Sequence, residues 1–459
     1  MTDVIVVRSP FDGAEVGRVP KHGRDDVDRA VAAAARALAT RPLPPWRRAE
    51  ILDAGARLLA ERAEDFARTI ALESAKPIRT ARIEAMRAVS TFTFAAVEAR
   101  RLTGDMVPVD AAQVGEGRLA FTLRIPIGVV AAIPPFNFPL NLVAHKLAPA
   151  IAAGCPVVLK PASQTPLSAV ALASLLVDEC GLPADYLHVV TGAGGEVGAA
   201  LVEHPDVAYV SFTGSSEVGW GIAAKAGRKK VALELGNNSP VIIEADGDWT
   251  QAARTIATAG FSHAGQSCVS VQRIYVSAPV AGDFTALLAG LVDDLVVGDP
   301  MDEATDVSAL ISTGDRDRVA SWISQAVAGG AAVAAGGVLE GGVLRPTVLT
   351  GVTPDMRVSR DEVFGPVVAI QRYDSLDEAL RLADDTRFGL QAGIFTASLA
   401  SALRAARELR FGTVLVNEVP TWRADQMPYG GVRESGNTKE GPTYAVRQMT
   451  EERLVVIQP

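Results

Sequence analysis

Cys268 stands in the run Gly265-Gln266-Ser267-Cys268, among small, turn-forming residues rather than on an apolar helix face. A thiol placed there is a candidate nucleophile, because a thiolate attacks electrophilic carbon and survives as a covalent intermediate. Taken alone, the same residue reads more often as small buried filler. Glu234 closes the apolar stretch 231–233, where burial would raise a carboxylate's pKa and fit it for general base work; a solvated or paired acid is the ordinary alternative. Asn137 lies in "IPPFNFPLN" (133–141). Prolines fix the backbone on both sides, so its amide is a candidate donor to an oxyanion, or else a turn residue bonded to its own backbone.

A second group of residues suits phosphate. The run 211–219, Ser-Phe-Thr-Gly-Ser-Ser-Glu-Val-Gly, closes an expected strand and opens an expected helix with Ser215 or Ser216 as N-cap. Helix N-termini bind anions, and glycine lets the backbone come close; many such turns carry no ligand. Lys160 follows the strand-like 157–159, at the end of a sheet where ligands bind, or as a solvated loop lysine. The five histidines (22, 145, 188, 204 and 263) show no paired spacing, so no metal is expected. No Gly-x-Ser-x-Gly elbow supports a serine hydrolase.

These residues need a sheet to hold them. Helical spacing covers 24–38, 46–72 and 82–101, so the first hundred residues read as mainly helical. Short β-branched runs at 128–133, 156–159, 187–190 and 208–212 then alternate with Ala/Leu-rich helical segments, which predicts βαβ units around a parallel sheet. A second set at 273–276, 367–371, 393–396 and 413–417 predicts another α/β lobe from residue 236 onward. Two outlying strand-like runs, 118–124 and 453–457, are expected to pair as an edge that recruits another subunit.

Bulk properties narrow the class. A chain of 459 residues with 48% hydrophobic and 21% charged residues is long enough for two or three cored domains. A formal charge of -9 provides no field for a polyanion, so nucleic acid is not the expected partner. Three cysteines are too few for a disulfide framework and fit a reducing compartment. The first residues lack a signal-like pattern, and no apolar run approaches the roughly 20 residues of a membrane span. A cytoplasmic location without membrane contact is expected.

Four motifs in register, "IPPFNFPLN", "LELGNNSP", "GQSC" and "EVFGPV" (362–367), together with the 34 positions between Glu234 and Cys268, resemble the aldehyde dehydrogenase superfamily along nearly the whole chain. The resemblance implies an α/β fold with a Rossmann-type dinucleotide-binding lobe (1–108 and 127–235) and an α/β catalytic lobe (236–433). It adds a small β oligomerisation arm with a C-terminal segment (109–126 and 434–459), in a homodimer or homotetramer. It further implies Cys268 as nucleophile, Glu234 as base, Asn137 as oxyanion donor, and Lys146 and Glu440 as a proton relay. The cofactor would be NAD or NADP. Lys160 would meet the adenosine ribose, Gly194, Gly214 and Ser215 the pyrophosphate, Glu362 the nicotinamide ribose, and Phe364 the ring, with Pro134, Phe136, Gly198, Phe212 and Leu235 completing the site.

Two departures shape the expected specificity. Ser163 replaces the glutamate usual in NAD-preferring members, which favours NADP because no carboxylate repels a 2′-phosphate. Ser267 replaces the arginine often found before the nucleophile in members that take phosphorylated or phosphono aldehydes. The similarity of "FNFPLNLVAHKLAPAIAAG" and "MPYGGVRESG" to the lactaldehyde, succinate-semialdehyde and non-phosphorylating glyceraldehyde-3-phosphate branch points to a small polar aldehyde oxidised to its acid. Arg423 stands as an anion-binding group at the substrate mouth or as a surface salt bridge. A phosphorylated or phosphono aldehyde is the alternative substrate, a cofactor-free cysteine esterase the remote one, and retained Glu234 argues against a CoA-acylating variant.

Overall fold

The computed structural model describes residues 3–459, in which two parallel sheets carry most of the strands. The first sheet has the order Leu187–Val189, Val157–Leu159, Val129–Ile133, Val207–Thr213, Lys230–Glu234, all pairs parallel. Val129–Ile133 and Val157–Leu159 are buried at every position, as expected for parallel strands covered on both faces. Pro134, Lys160, Gly214 and Leu235 directly follow the carboxyl ends of four of its strands, the edge of an open α/β sheet where ligands bind.

The second sheet runs Ala332–Ala335, Thr347–Thr350, Val367–Tyr373, Arg273–Ser277, Pro240–Ile243, Gln391–Phe395, Thr413–Val416, and only Ala332–Ala335 is antiparallel to its neighbour. Pro240–Ile243 lies inside this sheet yet is absent from the sequence-based strand set. Four residues, one of them proline, give too short a run to show a period. The two outlying runs do pair: Thr450–Ile457 is antiparallel to Leu119–Pro126, with Arg453 opposite Leu123 and Ile457 opposite Leu119.

One helical expectation needs correction. Residues 24–101 are mainly helical as expected, and before them Val4–Arg8 and Glu15–Pro20 form an antiparallel hairpin. Its turn is made by Asp12, which accepts from the Ala14 amide at 3.0 Å, and by Gly13 at φ +75°. The helical stretch 46–72 is two helices, Pro45–Glu61 and Ala63–Ser74. The chain turns at Arg62 and restarts with Glu64 and Asp65, acids that favour a helix N-terminus.

Helix Asn141–Ala153 is buried along its whole length, His145 and Lys146 included, and ends at Gly154 with φ +85°. It packs against Ile78–Arg101 and so holds polar side chains in the interior. Among the described residues no helix is long and apolar enough to cross a membrane, and no cluster of three or more His, Cys, Asp or Glu could hold a metal ion.

Candidate active site

The segment before Cys268 is wound against the chain's chirality. His263, Ala264 and Gly265 follow one another at φ +50°, +54° and +69°. For the two residues that carry a Cβ this costs roughly 1–3 kcal/mol each. Gln266 holds the turn closed. Its backbone and side-chain nitrogens donate to the His263 carbonyl at 3.1 and 3.2 Å, its Oε1 accepts from the Ile311 amide at 2.9 Å, and its own carbonyl accepts from Asn137 Nδ2 at 2.8 Å. A Cβ on Gly265 would sit 2.1 Å from the Gly365 carbonyl oxygen, so the backbones meet there with no room for a side chain.

Cys268 emerges half-buried, its sulfur hydrogen-bonded to Tyr429 Oη at 2.9 Å. Burial pushes the thiol up to about 12, against the opposing pull of the Tyr429 hydrogen bond and the Arg423 charge. The resting group is therefore a thiol, and attack requires a proton acceptor. Asn137 is buried, with one amide hydrogen on Gln266 and its main-chain oxygen on Lys76 Nζ at 2.7 Å. The second amide hydrogen has no partner among the described residues.

Glu234 ends its strand fully enclosed, and neither carboxylate oxygen has a partner among the described residues. Burial, and then the neighbouring Glu440, raises it well above the ordinary carboxylate range. Gly430 lets the backbone close over it, since a Cβ there would lie 2.6 Å from Glu234 Oε1. Behind it lies a connected polar chain. Lys146 Nζ donates to Ser211 Oγ at 3.0 Å and Thr213 Oγ1 at 2.8 Å, and stands 3.8 Å from Glu440 Oε1. Burial would raise Glu440, but the charges of Arg423, His145 and Lys146 outweigh it and hold Glu440 below its usual range.

Arg423 is buried, which removes the surface salt bridge as its explanation. Its guanidinium lies 3.8 Å from the Tyr429 ring centroid and donates to Glu440 at 3.0 Å. It also contacts His145 Nε2 at 3.1 Å, and His145 in turn contacts Asp425, which is paired with Arg87 at 2.9 Å.

A second group of the sequence-predicted residues lies around the carboxyl edge of the first sheet, with Glu362 against Gly236 beyond the end of its last strand. Glu362 Oε1 accepts from the Asn237 amide at 3.0 Å, and burial pushes its carboxyl up to about 7. Phe136 and Phe364 meet edge to face at 5.8 Å, Phe364 holding φ +47°. Ser215, not Ser216, caps helix Ser216–Lys225, accepting from the Val218 amide. Phe212 packs under Gly214, where a Cβ would clash at 2.5 Å with its ring, and Leu235 is buried at the strand end. Lys160 is buried, donates to the Pro161 carbonyl at 3.0 Å, and packs its stem against Gly198; burial lowers its pKa to about 8. Gly194 faces open space, and Ser163 Oγ donates to the Gly192 carbonyl at 2.9 Å. A buried ammonium, an N-cap and bare glycine backbone suit a dinucleotide diphosphate.

The sequence profile of the aldehyde dehydrogenase family matches residues 2–455. The chain belongs to the aldehyde dehydrogenase family. The dehydrogenase is 49% identical over 434 residues to the 3-sulfolactaldehyde dehydrogenase of Priestia aryabhattai, covering 95% of this chain and 91% of that one. It is 36% identical to the lactaldehyde dehydrogenase of Methanococcus aeolicus, covering 99% and 97% of the two chains. Its fold superposes with TM-score 0.95 on the glyceraldehyde-3-phosphate dehydrogenase GapN of Methanocaldococcus jannaschii complexed with NADP, at 36% identity and with 100% of each chain covered. This dehydrogenase is an oxidoreductase that oxidises aldehydes with NAD or NADP.

A cavity of about 240 Å3 opens beside Cys268 and Ser267, lined also by Thr80, Arg87, Phe138, Asn141, Ser262, His263, Thr421, Arg423 and Tyr429. Sequence reasoning missed Tyr429, Arg87, Asp425, His145 and His263 in the dehydrogenase's site. Tyr429 lay inside the quoted run "MPYGGVRESG", and His145 inside a helix with no polar face, where a buried imidazole needs a partner. Nothing near Arg87 in sequence distinguishes it from the other charged residues of its helix.

Proposed function

We propose that the dehydrogenase oxidises a short 2-hydroxy aldehyde bearing a compact anionic group on its far carbon, with NADP+ as the preferred acceptor. The small cavity with Arg87 in its wall, opening on Cys268, carries this reading. Sulfonated and unsubstituted lactaldehydes are the named substrates of the two similar enzymes. Uncharged Ser267 supports a sulfonate or carboxylate over a phosphate, which would call for more positive charge beside the nucleophile.

In this reading the Cys268 thiol loses its proton to solvent water and attacks the aldehyde carbon as the thiolate. The oxyanion accepts from the free Asn137 amide hydrogen and the Cys268 backbone N–H. NADP+, when bound, supplies the hydride acceptor. Glu234 then takes a proton from water as it attacks the Cys268 thioester, and Lys146 and Glu440 pass that proton outward. Glu362, Phe364, Phe136, Pro134, Lys160, Ser163, Gly194, Gly198, Phe212, Gly214, Ser215 and Leu235 would hold the cofactor. Ser163 supports NADP because its hydroxyl brings no negative charge near a 2′-phosphate.

Residues 1–108 with 127–235 would form the cofactor domain, 236–433 the catalytic domain, and 109–126 with 434–459 the arm and C-terminal segment. Thr450–Ile457 pairs on one side only and exposes Leu454, Val456 and Ile457, which supports a homodimer or homotetramer joined through the arm. A cytoplasmic location accords with three unpaired cysteines. A steady-state screen of 3-sulfolactaldehyde, lactaldehyde, succinate semialdehyde, glyceraldehyde 3-phosphate and a long unbranched alkanal with each cofactor tests the whole reading, with Cys268→Ala as control. The sulfonated aldehyde with NADP+ should give the highest kcat/KM; a clear optimum for long apolar aldehydes would refute the assignment.

A further inference from the structure

His263 lines the same cavity as Cys268 and is only 2% exposed, yet neither ring nitrogen has a partner among the described residues. Buried polar groups are nearly always satisfied, and an unsatisfied one in a binding cavity points to a ligand that completes it. Its neighbours along the wall are already engaged. Arg87 and Asn141 bond Asp425, Glu84 bonds Lys76, and Arg423 bonds Glu440. Its backbone, at φ +50°, begins the left-handed turn that presents Cys268, and Gln266 clamps its carbonyl. The imidazole is thus fixed to the nucleophile's own loop.

We propose that the His263 imidazole reads the hydroxyl on the carbon next to the aldehyde. The inference rests on the aldehyde-oxidising reading of the site and names the substituent that the cavity selects. A neutral imidazole offers one N–H and one lone pair, which matches a hydroxyl's acceptor and donor. Burial, with the nearby Lys76 charge, lowers its pKa well below the ordinary value, so the ring stays neutral at working pH. Lactaldehyde and propionaldehyde differ by this hydroxyl alone. A site with a buried partner for it should reject the analogue that leaves the ring unsatisfied.

The test is the ratio of kcat/KM for lactaldehyde over propionaldehyde, measured in the wild type and in His263→Asn, with melting temperature recorded for both. Asparagine tolerates a left-handed backbone but lacks the ring's reach. The wild type should favour lactaldehyde at least tenfold, and the substitution should lower that ratio by about tenfold, the effect of one hydrogen bond of about 1.4 kcal/mol. An equal fall on both aldehydes would assign His263 a structural role and overturn the proposal. So would a wild type that oxidises both aldehydes equally, which decides the matter even if the variant does not fold. Turnover of propionaldehyde without discrimination leaves the aldehyde-oxidising reading standing, whereas no NADPH or NADH from 3-sulfolactaldehyde, lactaldehyde or propionaldehyde would remove both.

Discussion

The Tyr429 hydroxyl stands 2.9 Å from the Cys268 sulfur. With the Arg423 guanidinium stacked on the same ring, the phenol is set to donate to a thiolate as it forms. Tyr429→Phe should therefore raise the thiol's pKa further and lower kcat/KM by about 10- to 100-fold, the range for one hydrogen bond to a charged group. The rate of iodoacetamide labelling against pH should move to higher pH. An unmoved profile would confine Tyr429 to packing.

Glu234→Gln separates the two halves of the reaction. In the proposed mechanism Glu234 serves the hydrolysis of the thioester, so the variant should give a burst of NADPH followed by a steady rate lowered on the order of 100-fold, the scale of general base catalysis. Stability carries an independent sign. Burial raises the folded pKa of Glu234, so its contribution is fully present below the unfolded value near 4.5 and is lost as pH rises through the folded value. Glu234→Gln should thus melt above the wild type at pH 8, with the gap closing toward pH 4.5. A gap that widens toward acid would contradict the burial argument.

Ser163→Glu should turn cofactor choice. A carboxylate near the adenosine ribose repels a 2′-phosphate and accepts from ribose hydroxyls, so the NADP-to-NAD ratio of kcat/KM should fall on the order of 100-fold. An unchanged ratio would place the choice elsewhere in the crevice.

Arg87→Met should cut the preference for 3-sulfolactaldehyde over lactaldehyde by about 10- to 100-fold, the loss of a charge-assisted contact, and chiefly through KM. Equal losses on both substrates would mean that Arg87 serves only to pair with Asp425.

Leu454→Glu with Val456→Glu places two charges on the exposed face of the arm strand. Sedimentation should show smaller species than the wild type. Retention of the wild-type assembly would remove the arm from the interface.

The parts of the fold that were legible in sequence are those in which periodicity and burial agree. Val129–Ile133 and Val157–Leu159 are apolar throughout because both faces are covered, and the run of residues gives them away. Pro240–Ile243 is as deeply buried but too short to read, and Arg62 interrupts a helix through local backbone geometry that composition does not mark. Within the site, Cys268, Glu234 and Asn137 sit in ordered motifs and could be found by them. His145, Asp425 and Arg87 belong to a network whose members lie 50 or more positions apart, with His145 and Asp425 separated by 280, so only folding brings them together.

Gly265 has a further consequence. Its backbone touches that of Gly365, one residue beyond Phe364 and three beyond Glu362, leaving no space for a side chain. The loop of Cys268 and the loop of Glu362 and Phe364 are therefore keyed together by bare main chain, and the contact acts as a gauge between them. The Cys268 sulfur and the Glu362–Phe364 loop cannot drift apart independently, so even an alanine at position 265 would force the two loops into a new spacing.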